Sequence, residues 1–195
     1  MRLRVKMGVP VKVRLAAACL LAAIFIAGQP SLAAQNDPRL DGLFEKLRTT
    51  PNPSEAKIVE LSIWQIWTES GDPATDSLMQ LGLTAMQARD LAGALSLFDA
   101  VTVRSPDFAE GWNKRATILY MMGAADKAAD DVARVLSLEP RHFGALAGLG
   151  LIDLQLNRDD AAIAAFEQAL RLNPNMPEAK AHLDALLKKR SKGAI

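Results

Sequence analysis

Few residues of this chain have the types and spacing that chemistry requires. The 195 residues include two histidines, His142 and His182, which stand far apart in the chain, and one cysteine, Cys19. A metal site needs several ligands at close spacing, and neither histidine has such neighbours in the sequence. There is also no glycine-rich phosphate loop and no serine nucleophile elbow. We therefore predict no enzyme activity, no metal and no cofactor, and we interpret both histidines as solvated residues at helix ends.

The elements that would position any site are organised by a repeat. Three prolines, Pro106, Pro140 and Pro174, recur with a 34-residue period. They close three units that align in one register, at residues 75–108, 109–142 and 143–176. A proline ends a helix because it lacks an N–H and restrains the residue before it. Each unit is therefore predicted to be helical, with its second helix ending at the proline.

Small and bulky residues recur in fixed columns of these units. Position 8 is Gly or Ala in every unit: Gly82, Ala116 and Gly150. Position 24 is large: Phe98, Val132 and Phe166. Small residues let two helices approach closely, and large side chains fill the space beside them. The columns therefore predict two tightly packed helices in each unit.

In these columns the chain resembles the tetratricopeptide repeat family, whose units are antiparallel helix hairpins of this length. The resemblance implies an all-α, right-handed α-solenoid with the first helix of each hairpin on the concave wall. It also implies a partner-binding groove, formed here by Met79, Leu83, Met86, Asn113, Thr117, Tyr120, Met121, Leu151, Leu154 and Gln155. The family's clamp for a peptide carboxylate needs Lys and Asn where this chain has Met79 and Leu83. The apolar, Met-rich wall suits a hydrophobic helix or an extended segment instead.

Two residues depart from the family pattern by placing a charge at a usually apolar position. Arg115 has a matching Asp131 on the second helix of its hairpin, a familiar variant in the family, so we predict an ion pair inside repeat two. Alternatively, Arg115 reaches into the groove and holds a ligand carboxylate. Asp153 has no evident partner, and we expect it to be partly exposed.

The repeats are flanked by amphipathic helices. Residues 34–74 are predicted to form a linker and two helices, the second with an apolar arc too wide for one contact. We expect this pair to act as a degenerate repeat that packs on repeat one. Trp64 and Trp67 then belong to its core, although an exposed indole could instead anchor a partner. At the other end, residues 177–195 are predicted to form a polar-faced capping helix and a tail.

Residues 1–33 have the pattern of a secretory signal peptide. Five basic residues precede an apolar stretch of about 14 residues, which is shorter than the ~20 needed to span a bilayer, and small residues precede a cut after Ala33. We expect export, with a bacterial periplasm favoured, and keep an uncleaved inner-membrane anchor as the alternative. Cleavage would also remove Cys19.

Export and repeats together predict a non-enzymatic scaffold that binds another envelope protein. The remaining 18 basic and 22 acidic residues give a net charge of −4, which argues against nucleic acid and anionic membranes as partners. The alternatives are a small-molecule or lipid carrier that uses the apolar wall as a pocket, and an enzyme with an unrecognised site. The sequence favours a monomer and leaves open whether the groove is free or covered by a terminal helix.

Overall fold

The computed structural model describes residues 34–193, and the predicted leader lies outside them. Within this range, a short 3-10 turn at Ala34–Asn36 is followed by nine α-helices and no strand. The helices are α1 (Arg39–Thr49), α2 (Pro53–Trp67), α3 (Pro73–Gln87), α4 (Leu91–Arg104), α5 (Ala109–Met121), α6 (Ala125–Leu138), α7 (Phe143–Gln155), α8 (Asp159–Leu172) and α9 (Pro177–Gly193). The predicted all-α fold is confirmed.

Several helices begin where a polar side chain caps the first turn. The side chain of Asn52 accepts the backbone N–H of Ser54 at 3.0 Å, and that of Asp72 accepts the N–H of Thr75 at 3.2 Å. In both cases a proline stands at the first helical position, where its missing N–H does no harm. These local signals separate α2 and α3 from the segments before them.

The three repeats form the hairpins α3–α4, α5–α6 and α7–α8. A side chain at Gly82 would place its Cβ 2.6 Å from the ring of Phe98, and Gly150 has the same relation to Phe166. The alternation of glycine and aromatic ring therefore sets the spacing within these hairpins. Each following hairpin packs on the one before, through α4 with α5 and α6 with α7, and α9 packs on α8.

The N-terminal hairpin α1–α2 does not pack as predicted. Its fully buried residues include Leu40, Leu47 and Ile63, but its core extends to Phe143 of repeat three and not to repeat one. Phe143 lies in an aromatic cluster in which the ring centroids of Trp67, Trp64 and Phe44 are 5.1, 5.5 and 6.3 Å away. The prediction that α2 caps repeat one is therefore wrong, because the apolar arc of α2 meets the first turn of α7.

Polar contacts fasten the folded-back hairpin to the repeats. Arg141 donates to Asp41 of α1 at 2.6 Å, and its guanidinium lies 4.7 Å from the ring centroid of Phe44. Asn173, after α8, donates to Glu60 of α2 at 3.4 Å. The hairpin thus covers one end of the wall formed by α5 and α7 and leaves the other end open.

Candidate binding groove

A groove runs between α5 and α7, the first helices of repeats two and three. It contains two adjoining pockets of about 240 and 360 Å³. Both pockets are lined by Asn113, Thr117, Gly144, Gly148 and Leu151. The smaller pocket ends at Tyr120 and Met121, and the larger one reaches Trp64 of α2 and His182 of α9. The groove is therefore walled by the repeats, the N-terminal hairpin and the C-terminal helix together.

The floor of the groove is formed by two glycines one helical turn apart on α7. A Cβ on Gly144 would lie 2.5 Å from the ring of Trp64, so this glycine is needed for the indole to dock. A Cβ on Gly148 would meet nothing within 4 Å, so the space above it is free. The sequence did not lead us to Gly148, although its spacing of four from Gly144 within a helix was a visible signal.

The structure brings together half of the predicted groove residues and separates the rest. The five that line the smaller pocket are Asn113, Thr117, Tyr120, Met121 and Leu151. Met79 does not face the groove, because it is 2% exposed and belongs to a core cluster with Phe98 and Ile118. Leu83 and Met86 are half-buried against the same cluster. Repeat one therefore contributes none of the residues that line the two pockets.

The last two predicted residues of α7 also lie outside the pockets. Leu154 packs against the C-terminal cluster that contains Leu183 and Leu187 of α9, and Gln155 is exposed at the helix end. Position in the repeat alone does not decide which side chain reaches the groove.

The two tryptophans of α2 have different surroundings. Trp67 is 1% exposed, so the alternative that it anchors a partner is wrong and the expectation of a core residue is confirmed. Trp64 is half-buried, packs against Phe143 and lines the larger pocket. It is the side chain through which the N-terminal hairpin contributes to the groove.

A buried carboxylate, Glu110, organises the covered end of the groove. It lies 2.8 Å from Nζ of Lys114 and accepts hydrogen bonds from Asn113 Nδ2 at 2.8 Å and from His142 at 3.1 Å. Burial would raise its pKa, but Lys114 and His142 outweigh burial and lower the pKa to about 2. The ionised carboxylate compensates the charge of Lys114. Because an ionised carboxylate can only accept hydrogen bonds, Glu110 binds the amide NH2 of Asn113, and the carbonyl oxygen of Asn113 points away from Glu110.

His142 is fully buried, which contradicts the prediction of a solvated residue. Its Nδ1 accepts the backbone N–H of Ala145 at 3.1 Å, so the ring proton is assigned to Nε2, which donates to Glu110. Trp67 stacks on the ring with centroids 4.0 Å apart and planes 11° apart. The prediction failed because α2, which comes much earlier in the chain, covers this repeat junction. His182 is exposed and stacks on Phe166, with ring centroids 5.5 Å apart.

The chain matches known repeat proteins over most of its length. Models described as tetratricopeptide repeat match residues 79–137 and 143–176. A TPR repeat-containing protein of Rhizobium etli is 33% identical over 164 residues, which are 84% of this chain and 80% of that protein. The chain belongs to the tetratricopeptide repeat (TPR) family. A human protein named DnaJ homolog subfamily C member 3 is 31% identical over 110 residues, and this stretch spans only 22% of its length.

Solved TPR structures share the fold at lower identity. The first TPR of Spaghetti (RPAP3), bound to an HSP90 peptide, superimposes with a TM-score of 0.59 at 18% identity, over 60% of this chain and 93% of that one. The Yersinia enterocolitica chaperone SycD, in complex with a peptide of YopD, superimposes with a TM-score of 0.57 at 17% identity. The match covers 61% of this chain and 96% of that one.

The predicted ion pair between Arg115 and Asp131 of the second TPR unit is present. Arg115 donates from Nη2 and Nε to the two carboxylate oxygens of Asp131 at 2.6 and 2.7 Å, and from Nη1 to Asp99 at 2.9 Å. The hydrogen bonds to Asp131 are the main cause of a raised pKa for the Arg115 guanidinium. Partial burial opposes this effect, and Asp99 adds to it. The alternative, in which Arg115 holds a ligand in the groove, is wrong because the guanidinium is bound between repeats one and two.

Asp153 is 6% exposed, which contradicts the expectation of a partly exposed residue. Burial raises its pKa, and Arg158, 3.9 Å away, opposes that effect.

Residues 34–193 contain no group of three or more His, Cys, Asp and Glu side chains that could hold a metal ion. No helix in this range has the length and hydropathy needed to cross a membrane.

Proposed function

We propose that this chain is a non-enzymatic scaffold that binds an apolar segment of another protein in the groove between α5 and α7. The observation that carries the proposal is the open space above Gly148, where helix backbone forms the floor of a mainly apolar pocket. A flat backbone floor lets a bulky partner side chain approach closely, and the flanking side chains then surround it.

The lining indicates what the partner segment presents. Met121 and Leu151 offer apolar surface, Met can adapt to irregular shapes, and Tyr120 adds a ring with a polar end. No charged residue lines the smaller pocket, and the charge of Lys114 beside it is compensated by Glu110 at 2.8 Å, so the smaller pocket favours uncharged side chains. Asn113, whose amide is oriented by Glu110, supplies a carbonyl oxygen that accepts a backbone N–H of the partner.

Relatives of the same fold support a peptide as the ligand. The TPR of Spaghetti and the chaperone SycD were both solved with a peptide bound. Because these chains are only 18% and 17% identical to this one, they support the class of ligand and not its sequence. The secretory pattern of residues 1–33 supports a partner in the cell envelope, with the periplasm as the site of binding.

Photo-crosslinking in intact cells tests this proposal. p-Benzoylphenylalanine replaces Tyr120 in the groove, and the same residue at the exposed Lys127 on α6 serves as the control site. We expect Tyr120 to capture one or a few polypeptides that Lys127 does not capture. In a second arm, Gly148→Leu fills the pocket and should remove these adducts. Gly42→Leu on α1, where an added Cβ also meets nothing within 4 Å, should leave them unchanged.

The competing hypotheses give different results. Adducts that survive Gly148→Leu would contradict the groove as the binding site. Adducts to lipid or a small molecule in place of polypeptide would favour the carrier, since pockets of 240 and 360 Å³ could hold part of such a ligand. Folding of each variant is checked by circular dichroism.

A further inference from the structure

A second uncharged surface lies outside the groove, on the first helix of repeat one. The exposed stripe of α3 consists of Ala74, Ser77, Leu81, Thr84 and Ala88. These residues lie on one side of the helix, since their spacing follows the helical period. The centre of this stripe, Leu81, is 56% exposed.

Two of the same columns, those of Ser77 and Thr84, are buried against the preceding hairpin in repeat two. Ile118 stands in the column of Thr84, is fully buried and packs in the cluster that contains Val101 of α4. Gly111 stands in the column of Ser77, and a Cβ there would lie 2.5 Å from Val101. The stripe on α3 is therefore the stacking face of repeat one. Over residues 34–193, no hairpin fills it, because α1–α2 has folded back onto repeat three.

A matching stripe lies on α2, the preceding helix. It consists of Ser54, Ile58, Leu61, Ser62 and Gln65, and again none is charged. Ile58 is 66% and Leu61 55% exposed, on the side of the helix away from the buried Ile63 and Trp67. Consecutive helices thus each carry exposed aliphatic side chains on an uncharged face.

We propose that these two stripes form a two-fold interface between two copies of this chain, with α2 of each copy packed on α3 of the other. A second copy would cover the stacking face of repeat one with a helix, as α4 covers α5 and α6 covers α7. Because both stripes belong to one chain, a two-fold axis satisfies both at once. No charge on either stripe opposes the contact. Only two helices per copy take part, so the dimer is weak, and we expect dissociation in the micromolar range.

Sedimentation velocity tests the proposal on protein purified after expression of the whole chain. We expect the sedimentation coefficient to rise from that of a monomer to that of a dimer as the concentration increases from about 1 to about 200 μM, the range around a micromolar equilibrium. A monomer over the whole range would overturn the proposal. Leu81→Glu and Ile58→Glu should each weaken the dimer at least tenfold, because a charge is buried in the contact.

A matched control distinguishes association through the two stripes from nonspecific association of exposed apolar residues. Val103 on α4 is 82% exposed and lies on neither stripe, so Val103→Glu should leave the dimer unchanged. An equal effect of Val103→Glu would overturn the assignment. All three positions are exposed, so circular dichroism should show folded variants.

Disulfide crosslinking tests the pairing of α2 with α3 directly. In a Cys19→Ser background, Ile58→Cys and Leu81→Cys variants are mixed and oxidised. We expect a disulfide-linked dimer from the mixture and little from either variant alone. A dimer that forms equally well from Leu81→Cys alone would contradict the proposed arrangement, because it would place α3 against α3.

Discussion

Repeats one and three have the same columns but different surroundings. Leu83 in repeat one packs on its own core and lines neither pocket, whereas Leu151, in the same column of repeat three, packs on the C-terminal cluster and also lines the groove. Leu81 of repeat one is exposed, whereas Leu149, its counterpart in repeat three, packs in the cluster formed with α6. The neighbours of a repeat, more than its own sequence, therefore decide whether a column is core, groove or free surface.

The N-terminal hairpin is the cause of the difference. By folding onto Phe143 and His142, it adds a wall to the groove at repeat three and leaves the stacking face of repeat one open. The position of the N-terminal hairpin thus determines both the groove at repeat three and the open stacking face of repeat one.

Removing the main contact of the hairpin should have the largest effect. Trp67→Ala deletes an indole that is 1% exposed and stacked on His142, so we expect the free energy of unfolding to fall by about 4 kcal/mol. Urea unfolding followed by circular dichroism measures the loss. Leu81→Ala, at the exposed face of repeat one, should change the stability by less than about 0.5 kcal/mol. Equal losses in the two variants would contradict the difference between the repeats.

The buried charge beneath the hairpin should make the stability depend on pH. Glu110 has its pKa lowered from 4.5 to about 2, so its stabilising effect is complete above about pH 5 and is lost as the pH falls towards 2. The shift corresponds to about 3 kcal/mol at most. Urea unfolding at several pH values should show a steeper loss below pH 5 for the native chain than for Glu110→Gln. Parallel curves would show that Glu110 has no such shift.

Substitutions in the two groove columns should separate core from binding surface. Met79→Ala should lower the free energy of unfolding by about 3 kcal/mol, because Met79 is buried in the core of repeat one. Leu151→Ala should lower it by about 1 kcal/mol or less but should reduce crosslinking from the groove. The assignment of these columns would be reversed if Met79→Ala abolished crosslinking while leaving stability intact.

The smallest effect is expected in the turns inside the hairpins. One column is left-handed in all three repeats, with φ of 61° at Arg89, 79° at Gly123 and 57° at Asn157. A left-handed conformation costs a non-glycine residue about 1–2 kcal/mol, partly offset by the greater freedom of glycine in the unfolded chain. Arg89→Gly should therefore raise the melting temperature by a few degrees, and Asn157→Gly by less, since Asn tolerates this region better. Thermal denaturation measures both, and a decrease for Arg89→Gly would contradict the assigned turn.

Interactions within one repeat could be predicted, and those between distant elements could not. The pairing of Arg115 with Asp131 and the contact of Gly82 with Phe98 both lie inside one hairpin, where a 34-residue register fixes which positions face each other. The burial of His142 depends on Trp67, which is distant in the chain and outside the register. The prediction for Met79 failed for a related reason. The position of a residue in the repeat indicates which way its side chain points, but it does not indicate whether other residues bury that side chain.

The amino-acid sequence alone determined that this chain is helical, has a 34-residue period and packs as hairpins, because proline positions and residue size act over short distances. Tertiary structure alone decided where the N-terminal hairpin lies, and with it the walls of the groove and the open face of repeat one. An amphipathic pattern shows that a helix must bury one side, but several apolar surfaces can satisfy it. The choice among them depends on how aromatic rings and buried polar groups fit in three dimensions.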